Sequence, residues 1–277
     1  MPELPEVEVL RRSLAPLVGE RFESIEVRDS RLREPVDEGA LRDLVGGRVE
    51  ALGRRAKYLL IHLERDDWDV GRTLVVHLGM SGRFTLVAGD APEEPHEHVV
   101  IRLASGRKLR LRDPRRFGLV FAALTDGLER DPHFGHLGIE PMSEAFSGAG
   151  LRSAAERRRG PVKGFLMDAT VVVGLGNIYA TEALFRAGIH PARSVARISG
   201  RRWTRLATAI RDVLRDAIAE GGTTLNDFSD GEGRSGYFQV SLAVYGRESE
   251  PCPRCGRNLK RIVQSNRSTF YCPGCQR

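Results

Sequence analysis

Residues 251–275, PCPRCGRNLKRIVQSNRSTFYCPGC, hold every cysteine of a 277-residue chain. Sixteen residues separate the pair Cys252-x-x-Cys255 from the pair Cys272-x-x-Cys275. Each pair forms a tight knuckle that presents two thiolates, and two knuckles give zinc a closed tetrahedral site. Two disulfides are the competing reading, but no secretory signal favours them. Four thiolates leave no open coordination position, so the expected zinc, one per chain, is structural. It folds a β-hairpin too small to bury a core alone. That hairpin displays QSNRST (264–269), with Arg267 near its tip. A rigid basic tip suits a phosphate contact, and ordinary surface charge explains Arg267 equally well.

Charge points the same way. Residues 151–277 hold 21 Lys and Arg against 11 Asp and Glu, whereas residues 1–150 hold 22 against 26. A basic second half joined to a mildly acidic first half fits a polyanion bound mainly by the second. Only four of the 43 basic residues are lysines: Lys57, Lys108, Lys163 and Lys260. Where arginine is the default cation, a lysine is a candidate for a place where a compact point charge is wanted, and a random residual lysine explains it equally well. No apolar run approaches the length of a membrane span.

Working back from the cysteine module, residues 226–238 (NDFSDGEGRSGYF) read as a Gly/Ser/Asp-rich loop. Before it, residues 200–220 carry one apolar stripe: Trp203, Leu206, Ile210, Val213, Leu214, Ala217 and Ile218. Ser199 precedes this helix and Gly221-Gly222 stops it. Two shorter helical stretches, KGFLMD (163–168) and NIYATEALFRAG (177–188), come earlier. Residues 21–125 read as short, partly alternating strands: RFESIEV, KYLLIHL, RTLVVHL, RFTLVA, HVVIRL, RKLRLRD and FGLVFAA. Many short strands without intervening helices predict an antiparallel β-sandwich. The fold class is therefore α+β with two domains: an N-terminal helix plus antiparallel β-sandwich, then a helical domain ending in the cysteine hairpin. The expected boundaries are 1–125, a linker at 126–150, a helical domain with a loop at 151–240, and the hairpin module at 241–277.

Four further stretches carry chemistry. GLGN (174–177) reads as a turn opening a helix at Asn177, where backbone N–H groups can bind phosphate; a plain helical hairpin explains it too. HLGMSG (77–82) and DPRRFG (113–118) are turns at strand ends. Met80, Arg115 and Phe117 on such turns suit wedging into a base stack, and loose packing is the equal alternative. MPELPEVEVL (1–10) starts a helix: Pro5 suits the first helical position, and Glu3, Glu6 and Glu8 favour the positive end of its dipole.

Taken together and in order, MPELPEVE, RRAKYLL, HLGMSG, DPRRFG, GLGNIYATEALFRAGIHP, GGTTLNDF, GYFQ and YGRESEPCPRCG…STFYCPGCQ resemble the formamidopyrimidine-DNA glycosylase family, within the wider Fpg/Nei class. The resemblance spans the whole chain. It implies a bifunctional DNA glycosylase/AP lyase that excises oxidised purines from damaged double-stranded DNA during base excision repair. It also implies a helix-two-turns-helix region, a cytoplasmic monomer and no membrane partner.

The resemblance further implies removal of Met1, with Pro2 as nucleophile and Glu3 as acid/base on the deoxyribose. A free α-amine has a pKa of about 8, and a helix N-terminus lowers it further. A secondary amine attacking a sugar carbon leaves a cationic iminium, a strong electron sink. By the same resemblance Lys57, His77, Asn177 and Arg267 contact phosphates near the lesion, and Lys57 is grouped with the catalytic residues. Met80, Arg115 and Phe117 fill the void left by the flipped nucleotide, and Arg115 pairs with the orphaned cytosine. Glu6, Ser235 and Tyr237 line the lesion pocket. His96 and His98, on one strand face, take core or surface roles. Two rival readings remain at this level: a relative preferring oxidised pyrimidines, and a zinc-ribbon DNA-binding protein without catalysis.

Overall fold

The structure is a computed structural model that describes residues 2–222 and 242–277. Ser235 and Tyr237 lie outside the described residues. The chain divides into two compact units, one holding 2–135 with Gly221 and Gly222, the other 136–220 and 242–277.

The first unit opens with α1 (Leu4–Ser13). Pro5 takes the second helical position rather than the first, because Leu4 already belongs to the helix; anywhere in the first turn its missing N–H costs nothing. Val7, Leu10 and Leu14 form the stripe that α1 buries in the core. Two four-stranded antiparallel sheets follow. One runs β1 (Phe22–Val27), β6 (Glu97–Leu103), β7 (Lys108–Arg112), β5 (Arg83–Val87); the other runs β2 (Arg48–Arg55), β3 (Tyr58–Glu64), β4 (Arg72–His77), β8 (Leu119–Leu124). Alternate residues of both sheets meet in one core: Leu59, Ile61 and Leu63 from β3, Leu74 and Val76 from β4, Val99, Ile101 and Leu103 from β6. The period of two seen in the sequence is thus the inward face of a sandwich.

Strand β2 and the short helix α2 (Glu38–Arg42) have no clear signal in the sequence. RVEALGRR breaks alternation with Gly53 and ends in arginines, and only Val49 is fully buried on it. Helix α2 is five residues long, and Asp37 caps it through the Ala40 N–H at 3.0 Å.

Pairing at both ends makes two turns neighbours. His77 of β4 pairs with Leu119 of β8 in one sheet, and Arg83 of β5 pairs with Arg112 of β7 in the other. The segments 78–82 and 113–118 therefore cross between the sheets side by side. Their contact is backbone on backbone. Gly79 has φ +62°, and a Cβ there would lie 2.3 Å from the carbonyl carbon of Phe117.

In the second unit α3 (Gly148–Ala155) begins inside the stretch read as a linker, capped by Ser147 through the Gly150 N–H. Then come α4 (Val162–Leu166), α5 (Asn177–Ala187) and α6 (Gly200–Ala219). Gly188 closes α5 in the left-handed conformation, φ +67°. Trp203, Leu206, Ile210, Val213, Leu214 and Ala217 are the buried face of α6, with Ile218 at its edge. Ser199 holds the N-cap position, but its side chain makes no capping bond. The tail pairs β9 (Lys260–Gln264) with β10 (Arg267–Tyr271). Ser265 and Asn266, both at positive φ, make the two-residue turn whose twist matches a hairpin. None of the described helices is long and apolar enough to cross a membrane.

Replacing Gly79 with Ala adds strain and a clash at the contact between the two turns. The variant is expected to lose roughly 1–3 kcal/mol of stability, measurable by urea unfolding, with zinc content unchanged.

Candidate active site

The peptide leading into α1 is held by its own helix start. Glu3 is the N-cap of α1, and its N–H donates to Glu6 Oε2 at 2.7 Å, while the Glu3 side chain accepts from the Glu6 N–H. This reciprocal capping box satisfies donors that a helix start leaves orphaned. Pro2, Glu3 and Glu6 are all buried. Glu6 therefore orders the peptide that carries Pro2. Gly222, at φ +87°, lies against it, and a Cβ there would meet the Glu6 side chain at 3.3 Å.

Lys57 sits in the two-residue turn that joins β2 to β3, where Arg55 pairs with Tyr58. Ala56 takes φ +53°, and its carbonyl accepts from Arg54 Nη1 at 2.8 Å. Arg54 in turn reaches Glu8 on α1 at 3.4 Å. Glu8 also accepts from Arg11 and Arg12. Although burial pushes its carboxyl up, these guanidinium bonds hold it down to about 2. Beside the Lys57 turn, the His77 ring packs tilted against Tyr58, with ring centroids 4.9 Å apart. His77 Nδ1 accepts the Gly79 N–H at 3.0 Å, which assigns the ring proton to Nε2. Enclosure by its neighbours, then the charges of Lys57 and Arg33, lower its pKa to about 4. His77 is thus a neutral Nε2–H donor.

Met80 and the Arg115–Phe117 stretch stand on the two adjoining turns. Phe117 is 46% exposed, unusual for so large an apolar side chain. The Arg115 guanidinium lies over its ring at 5.0 Å. Asp113, fully buried, holds the geometry. Its carboxylate accepts from Ser81 Oγ at 2.7 Å, the Gly118 N–H at 2.7 Å and the Arg115 N–H at 3.3 Å. His98 is buried and bonds the Asp113 carbonyl at 2.9 Å. His96 precedes the strand, exposed and at φ +68°, so the two histidines do not share a strand face.

In the second unit, Asn177 is the first residue of α5, after Gly176. Its side chain does not cap the helix. Its Oδ1 accepts from Lys163 Nζ at 2.5 Å, and its amide donates to the Ser268 carbonyl at 3.0 Å and to the Tyr245 hydroxyl at 3.2 Å. Lys163, 2% exposed, also donates to Thr269 Oγ1 at 2.6 Å. A buried ammonium persists only when such acceptors surround it. Glu182 completes the frame, accepting three backbone N–H groups from Ala243, Val244 and Tyr245. Residue type marks Lys163 only by the rarity of lysine, and gives no sign of Glu182, Arg54 or the anchoring role of Asp113. Glu182 meets partners more than 60 residues away, and Arg54 and Asp113 each add a distant partner, Glu8 and Ser81, that no local pattern announces.

The four cysteine sulfurs lie within 4.8 Å of one another, with Cys255–Cys272 at 3.4 Å and Cys252–Cys275 at 3.9 Å. A tetrahedron with Zn–S bonds of about 2.3 Å requires sulfurs roughly 3.8 Å apart, so the residues fit zinc. The Cys252 sulfur accepts from the Arg254 N–H at 3.4 Å, as a knuckle requires. Burial and the crowding of sulfurs push the Cys275 thiol up to about 12 in the absence of a cation. Arg267 stands exposed at the first position of β10, beside the hairpin tip.

Family models match in the same order as these parts: the formamidopyrimidine-DNA glycosylase N-terminal domain over residues 1–120, its H2TH domain over 137–229, and a zinc finger found in FPG and IleRS over 249–277. A formamidopyrimidine-DNA glycosylase from Halorhodospira halophila is 53% identical, with both chains covered in full. The chain belongs to the formamidopyrimidine-DNA glycosylase family. Among solved structures, the MutM (Fpg) protein of Thermus thermophilus superposes with a TM-score of 0.86 at 40% identity, covering 99% of this chain and 98% of that one. The Lactococcus lactis Fpg in complex with abasic-site DNA gives 0.89 at 33% identity, with 99% of each chain covered, and that protein was also solved with DNA containing N7-benzyl-Fapy-dG. This glycosylase is an enzyme of base excision repair with an α+β fold and one structural zinc.

Purified protein is expected to hold one zinc per chain by elemental analysis. Cys255→Ser should lose that zinc and most DNA affinity together, because the unfolded hairpin releases both Arg267 and the partners of Lys163. A zinc-free variant with unchanged affinity would contradict this.

Proposed function

We propose that this glycosylase excises oxidised purines from damaged duplex DNA and then cleaves the strand through a Schiff base on Pro2, acting as a cytoplasmic monomer. The observation that carries the reading is the capping box, which presents Pro2 from the first turn of a helix with the buried carboxylate of Glu3 beside it. That arrangement also argues against a binding-only zinc ribbon, which needs no ordered terminus. Support for the lesion class comes from the Lactococcus lactis relative, solved with N7-benzyl-Fapy-dG DNA.

In this reading the neutral Pro2 nitrogen attacks C1′, and the C1′–N bond to the base breaks, its electron pair leaving with the base. Glu3 supplies and removes protons at the deoxyribose as the ring opens. The resulting iminium withdraws electrons, so a C2′ proton is lost and the 3′-phosphate leaves; a second elimination expels the 5′-phosphate. Base flipping costs a few kcal/mol and is offset by backbone contacts and a wedge. Lys57, His77, Asn177 and Arg267 are the backbone contacts, and Met80, Arg115 and Phe117 are the wedge, with Arg115 reading the orphaned cytosine. An arginine fork carries only donors, which suits the two adjacent acceptors of cytosine. By family resemblance Glu6, Ser235 and Tyr237 line the lesion pocket, and Glu6 lies against Gly222. The zinc holds the hairpin and takes no part in bond breaking.

Borohydride trapping on 8-oxoguanine DNA is expected to give a covalent adduct with the native chain. Pro2→Gly should lose most base release and strand cleavage while keeping lesion binding, and Glu3→Gln should lower excision by about 10²–10⁴-fold yet keep measurable cleavage of a preformed abasic site. Cleavage of abasic DNA by Pro2→Gly at the native rate would overturn the assignment. Parallel assays on oxidised-pyrimidine duplexes test the alternative preference.

The two kinds of phosphate contact separate by salt. Arg267→Ala removes a charge and should reduce the slope of log affinity against log salt by about one contact. His77→Ala removes a neutral donor, since its pKa of about 4 keeps it uncharged above that pH. It should weaken binding near neutral pH while leaving the slope unchanged. Titrations at several salt concentrations check both.

A further inference from the structure

The three wedge side chains come from two separate segments, flanked by paired strands and joined, among the described residues, by the Gly79–Phe117 backbone contact and by a side-chain bond. That bond joins Ser81 Oγ to Asp113 Oδ1 at 2.7 Å. Ser81 follows Met80 directly. Asp113 starts the segment that carries Arg115 and Phe117, and its carboxylate also accepts the Arg115 and Gly118 N–H groups. The same residue is tied into the sheet: its N–H donates to the His96 carbonyl at 3.0 Å and its carbonyl bonds His98 at 2.9 Å. One fully buried residue thus connects the Met80 turn and the Arg115–Phe117 turn through its carboxylate, and the core strand β6 through its backbone.

We propose that Ser81 and Asp113 are positioning residues for recognition of the base opposite the lesion: their hydrogen bond locks Met80, Arg115 and Phe117 into one rigid wedge. The inference rests on the reading of those three side chains as the wedge. Arg115 discriminates between bases only if its fork meets the orphaned base at a fixed distance and angle, because hydrogen bonds weaken steeply with misalignment. A wedge whose halves move independently still fills space but reads the base poorly. The Asp113 carboxylate cannot be replaced by an amide without loss. Whichever way an asparagine amide is turned, its NH₂ faces a backbone N–H, either Gly118 or Arg115, and one donor goes unmet. Ser81→Ala is the cleaner probe, because it removes only the bond between the turns and leaves those within the 113–118 turn intact.

The experiment measures single-turnover excision of 8-oxoguanine opposite cytosine and opposite adenine by the native enzyme, Ser81→Ala, Asp113→Asn, the double variant and Arg115→Ala. The expected result is a fall of about threefold or more in the cytosine-to-adenine rate ratio for Ser81→Ala. Asp113→Asn keeps a bond to Ser81 in either amide orientation and disturbs the 113–118 turn instead, so the double variant should lower the ratio further than Asp113→Asn alone. If Arg115→Ala lowers the ratio while Ser81→Ala leaves it unchanged, the positioning role is overturned and the wedge reading stands. If Arg115→Ala itself leaves the ratio unchanged, the wedge reading fails and the inference falls with it. A Ser81→Ala variant that slows both rates equally and lowers the melting temperature has only a structural role, which also overturns the proposal.

Discussion

The reciprocal hydrogen bonds between Glu3 and Glu6 are the constraint on which the catalytic reading depends. A chain terminus is ordinarily the least ordered part of a domain. A nucleophile placed there is useful only if its nitrogen is held at a fixed position. The capping box does this by making the terminal peptide part of a helix start, and the stripe Val7, Leu10 and Leu14 fastens that helix to the sandwich core. The same placement sets the electrostatics. Under the proposed removal of Met1, the positive end of the helix dipole disfavours a charged amine at Pro2.

The second unit solves a related problem with metal and buried charge. Its zinc module is too small for a hydrophobic core, and only a few residues, among them Phe270, Leu259 and Val244, cluster beside the cysteines. Zinc supplies the missing stability, and the hairpin then contributes acceptors to Lys163 and Asn177 through Thr269 and Ser268. Glu182 fixes the segment that leads into the module by three backbone bonds. Arg254 reaches back to the carbonyls at the C-terminal end of α5, where a cation complements the helix dipole. Lys163 and Asn177 bond each other and share the hairpin as partner, so removing either takes a bond from the other, which couples the network.

Much of this is legible locally. The cysteine spacing announces the metal site, the 3.6-residue stripe announces α6, and alternation announces most strands of the sandwich. The misses share one cause. Strand β2 is defined by its neighbour β3 rather than by its own pattern, and Gly53 packs so closely there that a Cβ would lie 2.9 Å from the His62 ring. Helix α2 is too short for periodicity to register. The helix start at Asn177 is legible, but the bonds of its side-chain amide to Lys163, Ser268 and Tyr245, partners up to 91 residues away, are not.

The sequence by itself determined the parts and their chemistry: a helix beginning next to Pro2, two sets of strands, a helical pair opened by a glycine turn, and four thiolates spaced for one zinc. These follow from local rules of period, capping and ligand spacing, which act over a few residues. Only the tertiary structure decided which parts meet. Strand register brought the Met80 turn against the Phe117 turn, where the absence of a side chain at Gly79 permits contact. It made Asp113 a buried hub, gave His77 a single tautomer and a lowered pKa, and turned Lys163 from a scarce residue type into the centre of a polar network. Hydrogen bonding, desolvation and steric exclusion between distant residues depend on distance in space, and a one-dimensional pattern does not carry it.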